Sequence, residues 1–314
     1  MDKLYPNTEP YAHGLLDVDE GHSIYWESCG NPIGIPALYV HGGPGAGCTA
    51  GARRYFDPRK YRAILFDQRG CGRSLPLLTN RHQLTANTTQ ELIRDMERLR
   101  EHLSIEKWLL LGSSWGTTLS LAYAQTHPER VLGLVLACVT TTSRREVDWI
   151  TNGIGRVFPS EFERFVSHIP GQWKDAHIVD AYAELLFDKD PSTCAAAARE
   201  WCAWEDAHVS LTPGHTPSRR FKDPAFRLRF ARLVTHYWRY AAFLEDEQLM
   251  RNAPMLNGIN GVLIHGRYDV SSPLETAWQL HNAWNSSALQ IVDNSGHGGD
   301  GIATRIVEAL QQFC

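Results

Sequence analysis

Short apolar runs that end abruptly in glycine-rich or charged turns recur along the chain. Residues 36–40 (PALYV) lead into HGGPG, 62–66 (RAILF) into DQRGCGRS, and 108–111 (WLLL) into GSSWG. Residues 131–138 (VLGLVLAC) meet a threonine-rich turn, 261–265 (GVLIH) meet GRYD, and 289–293 (LQIVD) meet NSGH, with Asp293 read as the end of its strand. Apolar runs of this length without polar alternation fit strands buried on both faces of a parallel sheet. Helical patterns lie between them. Leu92, Met96, Leu99 and Leu103 share one face, with Thr88 or Thr89 as the N-cap. A helix after GSSWG runs to the stop at His127-Pro128, another covers 273–284 behind Pro273, and ATRIVEALQQF closes the chain. Strands alternating with helices predict an α/β fold: a mostly parallel central sheet flanked by helices.

Residues 141–250 break the rhythm. They are rich in Trp, Arg and Glu, their apolar positions recur at helical spacing, and they hold the loop TPGHTPSRR at 212–220. The expected organisation is a core from 1–140, a helical cap inserted at 141–250, and the rest of the core at 251–314, with the chain back in the sheet near residue 255.

Composition removes several classes of function. With 43% apolar residues, 21% charged residues and a net charge of −4, the chain has no basic stripe for nucleic acid and no Lys/Arg block for an anionic membrane. It holds no run of eighteen apolar residues, and MDKLYPNTEPYAHG lacks the apolar centre of a secretory signal. Seven scattered cysteines without a Cys-x-x-Cys pair favour reduced thiols and a cytoplasmic location over disulfides or zinc. None of the fourteen histidines forms His-Glu-x-x-His, and no metal or cofactor is expected.

Chemistry concentrates at the turns. Gly-x-Ser-x-Gly arises by chance in roughly one protein in ten of this length, so its setting decides its meaning. Here Gly112-Ser113-Ser114-Trp115-Gly116 follows a buried strand and opens a helix, as a nucleophile elbow requires. Ser114 is then the nucleophile, and the N–H of Trp115 faces the developing oxyanion. A base and an acid must follow in the order acid then histidine, each beyond a later strand. Asp269 after GVLIHGRY and His297 after LQIVDNSG meet that order, whereas Asp67 precedes the serine. Glycines in HGGPG let the backbone approach a substrate, which makes the N–H of Gly43 the second oxyanion donor; Pro44 has none to give.

These pieces together resemble the proline iminopeptidase (prolyl aminopeptidase) family of the α/β-hydrolase superfamily. The resemblance spans nearly the whole chain and rests on HGGPG (41–45), FDQRGCGRS (66–74), GSSWGTTLSLAYAQTHPE (112–129), WCAWED (201–206), HGRYD (265–269) and SGH (295–297). It implies the α/β-hydrolase fold and a serine exopeptidase that releases an N-terminal residue, preferably proline, from a small peptide or aminoacyl substrate with a free amine. By the motif match, Ser114, Asp269 and His297 take the catalytic roles and Glu205 binds the amine from the cap. Trp149, Tyr237 and Trp238 are the aromatic residues the resemblance places at the substrate. The chain departs from the family at Val234, where a second carboxylate is expected, and at Thr140 and Thr151, where aromatic residues stand. An esterase or amidase acting on small acyl groups is the nearest alternative, and a catalytically silent binding module is the alternative from another class.

Overall fold

In the computed structural model, which describes residues 4–209, 211 and 216–314, neighbouring residues of each buried strand face different apolar layers. Leu110 packs with Leu38, Ile64 and Leu136 on one side of the sheet, while Leu109 and Leu111 pack with Ala37, Leu65 and Val135 on the other. The strand period of two makes this inevitable once both faces are covered. The strands are β1 (Ala12–Asp17), β2 (Ser23–Gly30), β3 (Ile35–Val40), β4 (Tyr61–Phe66), β5 (Trp108–Ser113), β6 (Val131–Ala137), β7 (Gly261–Gly266) and β8 (Ser287–Val292). They form one sheet in the order β1-β2-β4-β3-β5-β6-β7-β8. β4, β3, β5, β6, β7 and β8 pair in parallel, and β1 and β2 are added antiparallel.

Six of these strands are the six apolar runs. β1 and β2 were not expected, for a physical reason. β1 alternates half-buried and exposed residues at the sheet edge. β2 carries Glu27, a buried carboxylate made tolerable by ion pairs to Arg53 (2.8 Å) and Arg73 (2.9 Å). Asp293 is corrected as well: β8 stops at Val292, and Asp293 is exposed beside Arg267.

α1 (Thr89–His102) and α2 (Trp115–Thr126) cover one face through Leu92, Met96, Leu99 and Leu119. Thr88 is the N-cap of α1, accepting from the N–H of Glu91 at 3.3 Å. Between β6 and β7 come α3 (Arg144–Thr151), α4 (Pro159–Ser167), α5 (Ile178–Leu185), α6 (Pro191–His208), α7 (Pro224–Arg239) and α8 (Gln248–Arg251), with no strand among the described residues. This segment has its own aromatic cluster, in which Phe165 stacks on Tyr182 and Trp204 at 4.5 and 5.3 Å between ring centroids. Of the loop expected at 212–220, residues 212–215 lie outside the described residues, and Arg219–Lys222 form a 3-10 turn. The chain rejoins the sheet at Gly261, later than expected, because 248–256 first pack as short helical turns against α2. α9 (Leu274–Ala283) follows β7, and α10 (Asp300–Gln311) seals the second face through Ile302, Ile306 and Leu310.

Candidate active site

One residue makes the turn from β5 into α2. Ser114 has φ 55° and ψ −127°, a conformation side-chain-bearing residues rarely adopt. The turn is held by its N–H, which donates to the Ala137 carbonyl (2.9 Å), and by its carbonyl, which accepts from the N–H of Thr117 (2.7 Å). It is also tightly enclosed. A Cβ on Gly116 would lie 2.0 Å from the Val40 carbonyl oxygen, and one on Gly112 would lie 2.5 Å from that of Gly116. Both glycines of the motif are therefore required by close approach of helix to sheet.

Three loops at the carboxyl ends of β5, β7 and β8 bring Ser114, Asp269 and His297 together. His297 Nδ1 lies 2.8 Å from Asp269 Oδ2, and Nε2 lies 2.9 Å from Ser114 Oγ. The other carboxylate oxygen of Asp269 accepts the N–H of Ser272 at 2.9 Å. An ionised carboxylate only accepts, so Nδ1 carries the proton and Nε2 presents a lone pair to the serine hydroxyl. Burial would push the pKa of Asp269 up, but the charge and hydrogen bond of His297 hold it below the usual range. Burial disfavours the charged form of His297, yet Asp269 and then Glu205 raise its pKa. Behind the carboxylate, buried His265 accepts the N–H of Val139 at Nδ1 (3.1 Å) and donates from Nε2 to the Ser272 carbonyl (2.6 Å), fixing the turn that carries Asp269.

The loop 41–45 is held from beneath. His41 Nε2 accepts the N–H of Gln68 (3.1 Å), and Gln68 in turn donates to the His41 carbonyl (3.0 Å) and accepts from the indole of Trp115 (2.9 Å). Gly43 lines the same cavity as Ser114, Trp115 and His297. Among the described residues the Gly43 N–H has no acceptor. That of Trp115 stands in the first turn of α2, where no intrahelical acceptor exists. Both residues line the cavity that holds Ser114, and neither N–H has an acceptor among the described residues.

The cavity is small, about 40 Å³, and the helical segment forms its other wall through Ile150, Glu205, His208 and Trp238. Glu205 is nearly buried on α6 and accepts from the indole of Trp201 at 3.2 Å. Burial raises its pKa to about 7, partly offset by His297 and by Trp201. His208, one helical turn on, is pushed down to about 3 by burial and then by His297, so it is neutral.

The remaining expected residues divide. Trp238 lines the cavity. Tyr237 does not: it lies behind Trp115, ring centroids 4.5 Å apart, because successive residues of a helix point to different sides. Trp149 is also outside, its indole donating to the Val270 carbonyl at 2.7 Å. Thr140 lines the cavity, whereas Thr151 bonds back to the Val147 carbonyl and faces a separate cleft, and Val234 is buried in the aromatic cluster of the helical segment. The sequence reading missed Glu146, which lines the cavity fully buried and accepts from Thr140, Thr141 and Thr276. Ser143-x-x-Glu146, a capping box opening α3, was the available signal. Cys138, Asp269 and His297 have ligand atoms within 4.8 Å of one another. Asp269 and His297 already bond to each other, and burial raises the pKa of Cys138 well above its ordinary value, so the trio does not read as a metal site.

The model of the alpha/beta hydrolase fold family matches residues 35–299. A probable proline iminopeptidase of Streptomyces coelicolor is 48% identical over 299 residues, covering 94% of this chain and 92% of that one. The proline iminopeptidase of Arabidopsis thaliana is 41% identical over 314 residues, covering 99% of this chain and 82% of that one. Among solved structures, the proline iminopeptidase of Mycobacterium smegmatis shares the fold with a TM-score of 0.66 at 18% identity, covering 96% of this chain and 98% of that one.

Proposed function

The chain belongs to the proline iminopeptidase family of the α/β-hydrolase fold, and on that premise we propose that Ser114, His297 and Asp269 are the triad by which it releases an N-terminal residue, preferably proline, from small peptides. Asp269 keeps the Nδ1 proton on His297, so Nε2 accepts the proton of Ser114 as Oγ attacks the carbonyl carbon of the N-terminal residue. The N–H groups of Gly43 and Trp115 hold the oxyanion, with the positive end of α2 behind the second. His297 then protonates the departing amine, the C–N bond breaks, and water repeats the cycle on the acyl-enzyme.

The single observation that carries the exopeptidase reading is that the Glu205 carboxylate lies in the same cavity as Ser114 and His297. A cationic amine entering a nearly dry site needs an anion, and Glu205 supplies it. The cavity holds roughly three waters' worth of space, which suits one small residue rather than a long acyl chain. Trp238 supplies an apolar wall and Thr140 a polar one, so small residues other than proline are tolerated. We take 141–250 as a cap closing the cleft, with 1–140 and 251–314 as the core. Among the described residues no helix is long and apolar enough to cross a membrane. Seven cysteines without a disulfide agree with a reducing cytoplasm.

A panel of aminoacyl β-naphthylamides, their N-acetylated counterparts and p-nitrophenyl butyrate tests the reading. The free prolyl arylamide should be the best substrate and its N-acetylated form a poor one. Equal turnover of the two, or turnover of the ester alone, would make the protein an esterase or amidase instead.

A further inference from the structure

The cavity holds a second acceptor besides Glu205. His208 is 2% exposed, and its Nε2 has no hydrogen-bond partner among the described residues. Its tautomer follows from Ser271. The Ser271 hydroxyl is 3.0 Å from the His208 carbonyl oxygen, which can only accept, so the one hydroxyl proton is spent there. The same oxygen lies 2.7 Å from His208 Nδ1 and must therefore accept from it. Nδ1 carries the proton and Nε2 is a bare lone pair. That lone pair lies 3.6 Å from Glu205 Oε2, beyond hydrogen-bond reach. Two acceptors thus face one space, and neither satisfies the other. The loop after β7 sets both histidines: Asp269 orients His297 and Ser271 orients His208.

We propose that His208 is the second acceptor for the substrate's terminal ammonium, so that Glu205 Oε2 and His208 Nε2 receive the two N–H bonds of an N-terminal proline. The proposal rests on the aminopeptidase reading above. The cavity's other carboxylate, Glu146, already accepts from Thr140, Thr141 and Thr276, so a neutral imidazole locked as an acceptor supplies the second bond without adding a further negative charge. It also gives selectivity. A secondary ammonium has two N–H bonds for the two acceptors, whereas a primary ammonium brings a third donor into a nearly closed site.

The test compares kcat/KM for prolyl β-naphthylamide with that for p-nitrophenyl butyrate, an ester with no amine. His208→Phe keeps a ring and removes the acceptor; the ratio should fall roughly tenfold or more, mainly through KM. His208→Gln, whose amide oxygen accepts, should recover part of it. In a Glu205→Gln background His208→Phe should still lower the ratio. An unchanged ratio in His208→Phe, with Glu205→Gln impaired, overturns the role of His208 and leaves the aminopeptidase reading standing. No further loss in the double variant overturns it too, since His208 would then act only by positioning Glu205. A wild-type enzyme indifferent to N-acetylation of the prolyl substrate overturns the reading itself, before any substitution is made.

Discussion

Trp115 and Tyr237 pack ring against ring, with centroids 4.5 Å apart, and join the first turn of α2 to α7 of the helical segment. The indole is pinned from a second side by Gln68 at 2.9 Å, and the phenol donates to Asn87 Oδ1 at 2.6 Å. The residue whose N–H we assign to the oxyanion is therefore held by both layers of the molecule. Tyr237→Phe keeps the ring and leaves the Asn87 oxygen without its donor, which costs roughly 1–3 kcal/mol. Urea denaturation should show that loss, while KM for prolyl β-naphthylamide stays within a few-fold. A large rise in KM would mean that Tyr237 contacts the substrate after all.

Ser114→Ala should abolish turnover with the fold intact. The hydroxyl sits 2.9 Å from His297 Nε2, and removing it takes away the attacking atom, not a packing contact. Loss of kcat on the order of 10⁵–10⁶ is expected, with unchanged circular dichroism and thermal midpoint. Residual arylamide turnover within a hundredfold of wild type would remove Ser114 from the nucleophile's role.

Asp269→Asn tests the acid through the tautomer. The N–H of Ser272 holds one oxygen of Asp269 at 2.9 Å, so an asparagine would keep its oxygen there and turn its amide NH₂ toward His297 Nδ1. A donor facing Nδ1 moves the imidazole proton to Nε2, where it can no longer accept from Ser114. On this ground kcat should fall by about 10⁴ while KM changes little. A loss below tenfold would show that the carboxylate is not orienting the base.

Much of this site was legible because its chemistry sits at strand ends, where apolar runs stop on glycine. β5 and Gly112-x-Ser114-x-Gly116 announce one another, Asp269 follows the fully buried β7, and His297 follows the apolar run of β8, which the structure leaves half-buried at the sheet edge. The helical segment resisted reading because helical periodicity tells which positions are buried, not which of two cores they join. Tyr237 and Trp238 are neighbours in the chain, yet one backs Trp115 and the other lines the cavity. β2 stayed hidden because its buried Glu27 is neutralised by Arg53 and Arg73, partners distant in sequence. His208 was invisible as an acceptor, since its tautomer is set by Ser271, 63 residues away.

Gly116→Ala tests the close approach on which the elbow depends. The added methyl would stand 2.0 Å from the Val40 carbonyl oxygen, a backbone atom that cannot rotate away. α2 would have to lift from β3, and a loss on the order of 3–5 kcal/mol follows. Thermal denaturation should show a midpoint lower by roughly 5–8 degrees, or insoluble protein. A variant as stable as wild type would contradict the packing described here.

Glu205 links recognition of the substrate to stability, and the sign of the effect is fixed by its pKa. Burial raises it from 4.5 to about 7. Between those values the native state keeps a proton that the unfolded chain has lost, so stability falls as pH rises through this window. The contribution is fully present below about 4.5 and gone above about 7. With about 1.4 kcal/mol for each unit, the ionised carboxylate costs roughly 3 kcal/mol at pH 8. Glu205→Gln removes that cost, so the variant should be more stable than wild type at pH 8.5 and nearly equal to it at pH 4.5. The same substitution should lower kcat/KM for prolyl β-naphthylamide at least tenfold more than for p-nitrophenyl butyrate, because only the first needs an anion in the cavity. Urea titrations at both pH values, run beside the two assays, read out the opposition directly. If Glu205→Gln changes stability equally at both pH values and impairs both substrates alike, Glu205 is a structural residue, and the amine is bound elsewhere.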